Sequence, residues 1–292
     1  MNVLQKPYNF PFNKTKGLST DIQYSDKISP LPDTQNLKDK RELPIDKVGV
    51  KNLKYPIAVK DKDNEIQHTI ATVEMTVDLP KEFKGTHMSR FVEILQNQNH
   101  EIHVNSLDEI LTRMRERLHA KTSHIVMEFP YFKEKKAPVT GKPSLIDYQV
   151  KFHAVKNSDF GDFILTVKVP VTTLCPCSKS ISKHGAHNQR GEVTVSVRFR
   201  DTVWIEDVIS AVEESASCEL YSLLKREDEK YVTERAYENP VFVEDLVREV
   251  VVRLRANKNI IWYLVEAENF ESIHNHNAYA HIESHNFSVN GQ

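Results

Sequence analysis

The chain has 292 residues, of which 39% are hydrophobic and 27% charged, and its 39 Lys and Arg residues against 41 Asp and Glu residues give a net charge of -2. This composition is typical of a folded protein and excludes collagen-like and disordered classes, while the length predicts two domains. The balanced charge provides no broad basic surface, so we expect neither nucleic acid nor a membrane as a partner. The eight glycines form neither a G-x-G-x-x-G nor a G-x-x-x-x-G-K-[ST] motif, so no glycine-rich phosphate loop is expected.

The cysteine content and the distribution of apolar residues predict the compartment. Three cysteines, at positions 175, 177 and 218, are too few for a disulfide framework and fit a reducing environment. The first ten residues have no apolar signal core, and the longest clear apolar run, Ile260–Val265, is too short to cross a membrane. We therefore expect a cytoplasmic protein.

The first part of the chain predicts an arm followed by an α+β segment. Residues 1–45 are polar, are punctuated by prolines and show no period, which predicts an extended N-terminal arm. Hydrophobic alternation and helical stripes then predict six elements in residues 46–158. In chain order they are the strands Tyr55–Lys60 and Gln67–Leu79, the helices His87–Gln98 and Ser106–Leu118, and the strands His124–Phe132 and Asp147–Val155. Ser106 followed by Glu109 is a capping-box signature for the start of the second helix.

The same order of elements is predicted again in residues 159–292. The elements are the strands Phe163–Thr173 and Glu192–Arg200, the helices Ile205–Leu224 and Pro240–Asn257, and the strands Asn259–Glu266 and Ala278–Val289. Asn239 is the predicted N-cap of the second helix, with Pro240 at its first position. The pattern ββααββ therefore occurs twice. It predicts the α+β class, with an antiparallel four-stranded sheet and two helices on one face in each half. Two unrelated α+β domains remain the alternative.

Cysteine and histidine lie close together in the second half. The motif L-C-P-C-S-K at 174–179 is followed by H-G-A-H-N-Q-R-G at 184–191. A cysteine and a histidine at this spacing can bind one metal if the loop between them folds back between two strands. Thiolate and imidazole together suit zinc or iron(II). Because alternate residues of an extended chain point in opposite directions, we expect only one cysteine to be a ligand. A buried cysteine pair with surface histidines is the alternative.

Further candidate segments of the second half are rich in acidic residues or in histidine. The segment 268–277 contains two glutamates followed by His274 and His276, and histidine is both the commonest metal ligand and a general acid or base near neutral pH. The charge run 225–230 is interpreted from residue type alone as a solvated connection between helices. Glu244, near the start of the next helix, is most simply an acid favoured by the helix dipole.

Taken together, these motifs resemble a known family. The segments L-C-P-C-S-K, G-A-H-N-Q-R, D-E-K-Y-V-T-E-x-A-Y-E-N-P-x-F-V-E-D at 228–245 and E-x-x-H-N-H-x-A at 271–278 resemble the type IB GTP cyclohydrolases, the FolE2 family. The resemblance runs from about residue 45 to the C-terminus, and the chain lacks the Cys-Glu-His-His motif of the type IA enzymes.

The resemblance implies a fold and a reaction. The fold is two tandem tunnelling-fold modules, 46–158 and 159–292, in a homotetramer with active sites at subunit interfaces. The activity is that of a hydrolase acting on cyclic amidine C–N bonds. It converts GTP and water to 7,8-dihydroneopterin triphosphate and formate, at the entry to folate synthesis. A metal-activated water attacks C8 of the purine, and the ribose then rearranges to form the pterin ring.

The resemblance also implies a set of site residues. Cys175, His187, Glu229 and His274 correspond to the metal ligands for zinc, manganese or iron(II), with Cys175 essential for turnover. The remaining candidates bind substrate or transfer protons. They are Glu244 for the purine, Glu271 as an active-site acid, His276 for proton transfer, and Lys179 and Arg190 for the triphosphate.

Two other functions remain as alternatives. A tunnelling-fold nitrile reductase of queuosine synthesis uses a cysteine nucleophile and NADPH, but its E-S-K-S-x-K-type segment is absent, and we expect no nicotinamide or flavin cofactor. A non-catalytic protein with a structural zinc would favour four Cys or His ligands in paired motifs. One C-P-C motif with scattered acids suits an open catalytic site better.

Overall fold

The computed structural model describes residues 33–35, 37–62, 65–96 and 104–284. The described residues from 35 onwards form one compact unit, to which every element below belongs. The predicted arm at 1–45 lies mostly outside the described residues, although Lys38 forms an isolated bridge with Phe83 and the first strand begins at Ile45.

The described part of the chain contains nine strands and six helices. The strands are β1 (Ile45–Asp61), β2 (Glu65–Leu79), β3 (Ser123–Lys136), β4 (Pro143–Lys156), β5 (Gly161–Leu174), β6 (Asn188–Phe199), β7 (Cys218–Glu219), β8 (Ile260–Asn269) and β9 (Ala278–Glu283). The helices are α1 (Met88–Gln96), α2 (Val104–Leu118), α3 (Pro176–Ile181), α4 (Ile205–Glu213), α5 (Arg226–Glu238) and α6 (Val243–Ala256). None of these helices is long and apolar enough to cross a membrane.

All strands join one antiparallel sheet in the order β1-β2-β3-β4-β5-β6-β8-β9, with β7 paired to β5. The two predicted four-stranded sheets are therefore continuous, because β4 pairs with β5 from Lys156–Gly161 to Gln149–Lys168. After Lys168, β5 pairs with β7 instead of β4, and Cys218 lies opposite Thr172. The chain thus has the predicted α+β character, with an antiparallel sheet and helices.

One face of the sheet forms the core with the helices. Valines alternate along β5 and β6 and lie opposite one another, so that Val167 pairs with Val195 and Val169 with Val193, all fully buried. β-Branched side chains suit this pleated surface. Helix α2 packs on β2–β4, α4 on β5, and α6 on β8 and β9, and the buried residues form one cluster across both halves. The predicted apolar stripes of α2 and α6 are buried, as expected.

The helices of the second half differ from the prediction. The predicted helix Ile205–Leu224 is wrong beyond Glu213, because Ser215 and Ser217 bond to backbone groups and the chain then pairs with β5. The charge run 225–230, interpreted as a connection, is the start of α5.

Two predicted N-caps and one short helix also need correction. Asn239 is the C-cap of α5, and α6 begins at Val243, because Pro240 cannot continue the preceding helix. Ser106 is not an N-cap, since α2 already begins at Val104. Helix α3 was not predicted, because six residues are too few to show a helical period.

A buried polar cluster connects the two halves. The Lys135 ammonium group on β3 contacts Glu213 at 2.8 Å and Glu219 at 2.6 Å, and Tyr148 donates a hydrogen bond to Glu213 at 2.8 Å. Burial raises the pKa of Glu213 and of Tyr148. Although burial opposes ionisation of Glu219, hydrogen bonds from Lys135 and Tyr221 hold its pKa below the usual value. Removing one partner of such a buried network leaves the other uncompensated, so it fixes the mutual position of β3, α4 and β7.

The tightest backbone approach in the sheet gives a test of this fold. A Cβ atom at Gly49 would lie 1.9 Å from the carbonyl oxygen of Met75 on the neighbouring strand. We expect Gly49→Ala to lower the free energy of unfolding by about 1–3 kcal/mol in urea titrations, because the strands must move apart. Gly161→Ala is the matched control, since its Cβ would meet only the Val155 oxygen at 3.9 Å. Equal stability of the two variants would contradict the β1–β2 register.

Candidate active site

Cys175 and His187 are neighbours at the end of β5 and β6. The last β5–β6 pair is Leu174 with Asn188, and the backbone N–H of Cys175 donates to the His187 carbonyl at 3.1 Å. Cys175 is the N-cap of α3, its Sγ accepting from the Ser178 N–H at 3.4 Å, and Pro176 occupies the first turn. The loop between the motifs therefore folds back between two strands, as the spacing predicted.

The imidazole of His187 is held by a short chain of polar contacts. Its Nδ1 lies 3.0 Å from Oε1 of Gln189, and because an amide oxygen can only accept, Nδ1 is the donor in this contact. Ser272 Oγ lies 3.3 Å from the same Nδ1. The Gln189 amide donates to Glu271 Oε1 at 3.4 Å, and the other Glu271 oxygen lies 3.9 Å from His187 Nδ1. Three predicted residues, Cys175, His187 and Glu271, are thus brought together.

Residue type alone assigns no role to Gln189. It belongs to the quoted motif, but its type carries no catalytic chemistry. In the structure it is buried and connects His187 with Glu271. Its position two residues after His187 on a strand, and so on the same side, was the signal available in the sequence.

The histidine-rich loop follows β8. Phe270 N donates to the Arg190 carbonyl at 2.9 Å, which ties the start of the loop to β6. His274 and His276 are exposed in this loop, and their rings stack with centroids 5.1 Å apart and an interplanar angle of 17°. The loop that supplies Glu271 and Ser272 to the cluster therefore also carries both histidines.

The acidic candidates lie elsewhere. Glu229 is exposed in the first turn of α5, and Glu244 is exposed in the first turn of α6. No contact between either carboxylate and the Cys175–His187–Glu271 cluster is found in the described part of the chain. Within those same residues, no three His, Cys, Asp or Glu side chains are arranged to hold a metal ion. A single chain thus brings together only part of the predicted ligand set.

The two cationic candidates lie in different surroundings. Lys179 on α3 donates to the Tyr237 carbonyl and lies 4.5 Å above the centre of that ring. Arg190 follows Gln189 on β6 and so points to the opposite face of the sheet. There it lines a cleft of about 510 Å³ with Lys168, Tyr221 and other residues.

The charge run contains one residue of unexpected importance. Asp228 is completely buried and accepts hydrogen bonds from the backbone N–H groups of Val139, Thr140 and Lys225 and from the Thr140 hydroxyl. Although burial opposes ionisation, these hydrogen bonds hold the pKa of Asp228 well below its usual value. Its neighbours Glu227 and Glu229 are exposed, as expected for a charge run.

Comparison with known proteins gives a consistent result. A family model described as "Type I GTP cyclohydrolase folE2" matches residues 31–280. A GTP cyclohydrolase FolE2 of Akkermansia muciniphila is 59% identical over 259 residues, covering 88% of this chain and 98% of that protein. One from Geotalea uraniireducens is 58% identical over 253 residues, covering 87% and 93%. Among solved structures, the uricase from Arthrobacter globiformis matches with a TM-score of 0.48 and 7% identity, covering 85% of this chain and 96% of that one.

The exposure of the three thiols predicts their reactivity. Cys177 is exposed, Cys175 is half-buried, and Cys218 is buried, which raises the pKa of its thiol. We expect one rapidly reacting thiol per native chain with an aromatic disulfide reagent, and loss of this phase in Cys177→Ser. Cys218 should react only after denaturation. A rapid phase that survives in Cys177→Ser would contradict the assigned exposures.

Proposed function

The chain belongs to the FolE2 family of type I GTP cyclohydrolases, and we propose that its active site is built around Cys175 and His187. The protein is a GTP cyclohydrolase, which converts GTP and water to 7,8-dihydroneopterin triphosphate and formate in the first step of folate synthesis. The observation that supports the site is the contact of Cys175 with His187 at the strand ends, beside Glu271. We place the reaction in the cytoplasm, where reduced thiols persist.

A divalent metal is proposed as the cofactor because the donor chemistry fits. A thiolate and an imidazole suit zinc or iron(II), and an added carboxylate widens the range to manganese. His187 uses Nδ1 for its hydrogen bond to Gln189, which is how metal-binding histidines are commonly oriented, and so keeps Nε2 for a ligand. Glu229 and His274 are the proposed remaining ligands. When bound, the metal supplies Lewis-acid activation of water for attack on C8 of the purine.

The chain's own residues then bind substrate and move protons. The Glu244 carboxylate can accept hydrogen bonds from N1–H and N2–H of guanine, which lie side by side. Glu271, next to His187, can hold a proton for the departing ring nitrogen, and His276 can exchange protons with solvent from its exposed position. For the triphosphate, Lys179 is the stronger candidate because it follows Cys175 by four residues, whereas Arg190 points to the other face of the sheet.

We further propose two tunnelling-fold modules and a homotetramer. The first half follows the order ββααββ, and the second follows it with α3, β7 and α5 added. The exposure of Glu229 and Glu244 outside the Cys175 cluster supports an active site completed between subunits.

A metal add-back assay tests the proposed site. Protein stripped of metal is given zinc, manganese or anaerobic iron(II) with GTP, and formate and fluorescent oxidised neopterin are measured. We expect turnover only with metal, its loss in Cys175→Ala, and a smaller effect in Cys177→Ala, because Cys177 is exposed and makes no contact with His187 in the described structure. Equal losses in the two variants, or full turnover without metal, would overturn the assignment.

The contact between His187 and Gln189 gives a second prediction. Gln189→Leu should weaken zinc binding about 10–100-fold in a chelator competition, because His187 loses the acceptor that fixes its tautomer. Gln67→Leu is the control, since that amide also makes two hydrogen bonds, both with the backbone of Phe132, but in the other half. Unchanged zinc affinity in Gln189→Leu would contradict the role given to this residue.

A further inference from the structure

Asp228 has more hydrogen bonds than a helix cap requires. One side-chain acceptor is enough to cap a helix, and the bond from Lys225 N–H at 2.9 Å supplies this at the start of α5. The other three bonds go to a turn of the first half, at 2.9 Å from Val139 N, 2.9 Å from Thr140 N and 2.7 Å from Thr140 Oγ1. Among the described residues no cation pairs with this carboxylate. Its buried charge is therefore compensated by the turn and the helix together.

The turn that is hydrogen-bonded to Asp228 is itself held by backbone hydrogen bonds. It connects β3 and β4, which pair as far as Lys136 with Pro143. Within it the Ala137 N–H donates to Lys142 and the Gly141 N–H donates to Ala137, both at 3.0 Å. The first turn of α5 is consequently attached to a rigid part of the first half of the chain.

The other end of α5 is attached beside the candidate active site. Asn239 caps the helix and donates to the Ala216 carbonyl at 2.9 Å. Lys179 of α3 donates to the Tyr237 carbonyl, and Val241 N–H donates to the Leu174 carbonyl at 3.1 Å, next to Cys175. Helix α5 thus runs between the β3–β4 turn and the segment that carries Cys175. The direction of its first turn, and so of Glu229, depends on the attachment of Asp228.

We propose that Asp228 is a positioning residue for Glu229, and that the β3–β4 turn of the first half thereby helps to set the geometry of the metal site. The inference rests on the proposed function, in which Glu229 is a metal ligand. Glu229 is exposed, and within the described part of the chain its carboxylate makes no hydrogen bond or ion pair, so its location is set by the backbone next to Asp228. Substitution of a residue that orients a metal ligand commonly weakens metal binding about 10–100-fold.

Metal affinity and the cobalt(II) absorption spectrum of the full-length protein test the proposal. We expect Asp228→Ala to weaken zinc binding about 10–100-fold and to change the cobalt ligand-field bands. Thr140→Val, which removes one of the three bonds from the first half, should cause a smaller loss, below about tenfold. Asp207→Asn is the matched control, because Asp207 is also in the first turn of a helix and contacts the first half through Lys62, but has no predicted ligand beside it.

A double-variant cycle separates positioning from a general loss of structure. If Asp228 acts through Glu229, Asp228→Ala should add little to the loss of zinc affinity already caused by Glu229→Ala. Additive losses of zinc affinity in the double variant would overturn the inference and leave the ligand assignment intact. The same conclusion would follow if Asp228→Ala and Thr140→Val both kept full zinc affinity while Glu229→Ala lost it. Unchanged affinity in Glu229→Ala would overturn the ligand assignment and this inference with it. If Asp228→Ala does not fold, Thr140→Val and Asp228→Asn carry the same test.

Discussion

The pairing of β5 with β6 is the constraint on which the candidate site depends. Buried valines lie opposite one another along both strands, and a slip of one residue would turn them all towards the other face. The register is therefore fixed, and it ends with Leu174 opposite Asn188. Cys175 comes directly after Leu174 and His187 directly before Asn188, so two residues a dozen positions apart become backbone neighbours through packing that occurs elsewhere in the sheet.

The two halves of the chain contribute unequally to the chemistry but not to the architecture. Every candidate site residue lies in the second half, yet α5, which carries Glu229, is held by the first half, as are the neighbouring α4 and β7. Lys135 binds the acids of α4 and β7, and the β3–β4 turn binds Asp228 of α5. Because both contacts are buried and charged, each is costly to break. The first half thus acts as a scaffold for the helices of the second.

Polar contacts near the site orient side chains that the strand register alone only brings close together. The register brings His187 near Cys175, but the orientation of its ring comes from Gln189, and the carboxylate next to it comes from the loop after β8 through Glu271. The same loop carries the stacked His274 and His276. A rigid strand end and an exposed loop therefore meet at one place, which suits a site that must hold fixed groups and still admit a substrate the size of a nucleotide.

The sequence by itself determined eight of the nine described strands, the apolar stripes of α2 and α6, and the motifs that identify the family, because each depends on local period or on residue type. It did not determine the end of α4, the existence of α5 or the true role of Asn239, since Ser217, Asp228 and Asn239 act through bonds to residues far along the chain. Likewise, Asp228 and Glu229 are indistinguishable as members of a charge run. Only tertiary structure decided that one is buried and anchored while the other is exposed, because burial depends on which distant backbone groups face each side chain.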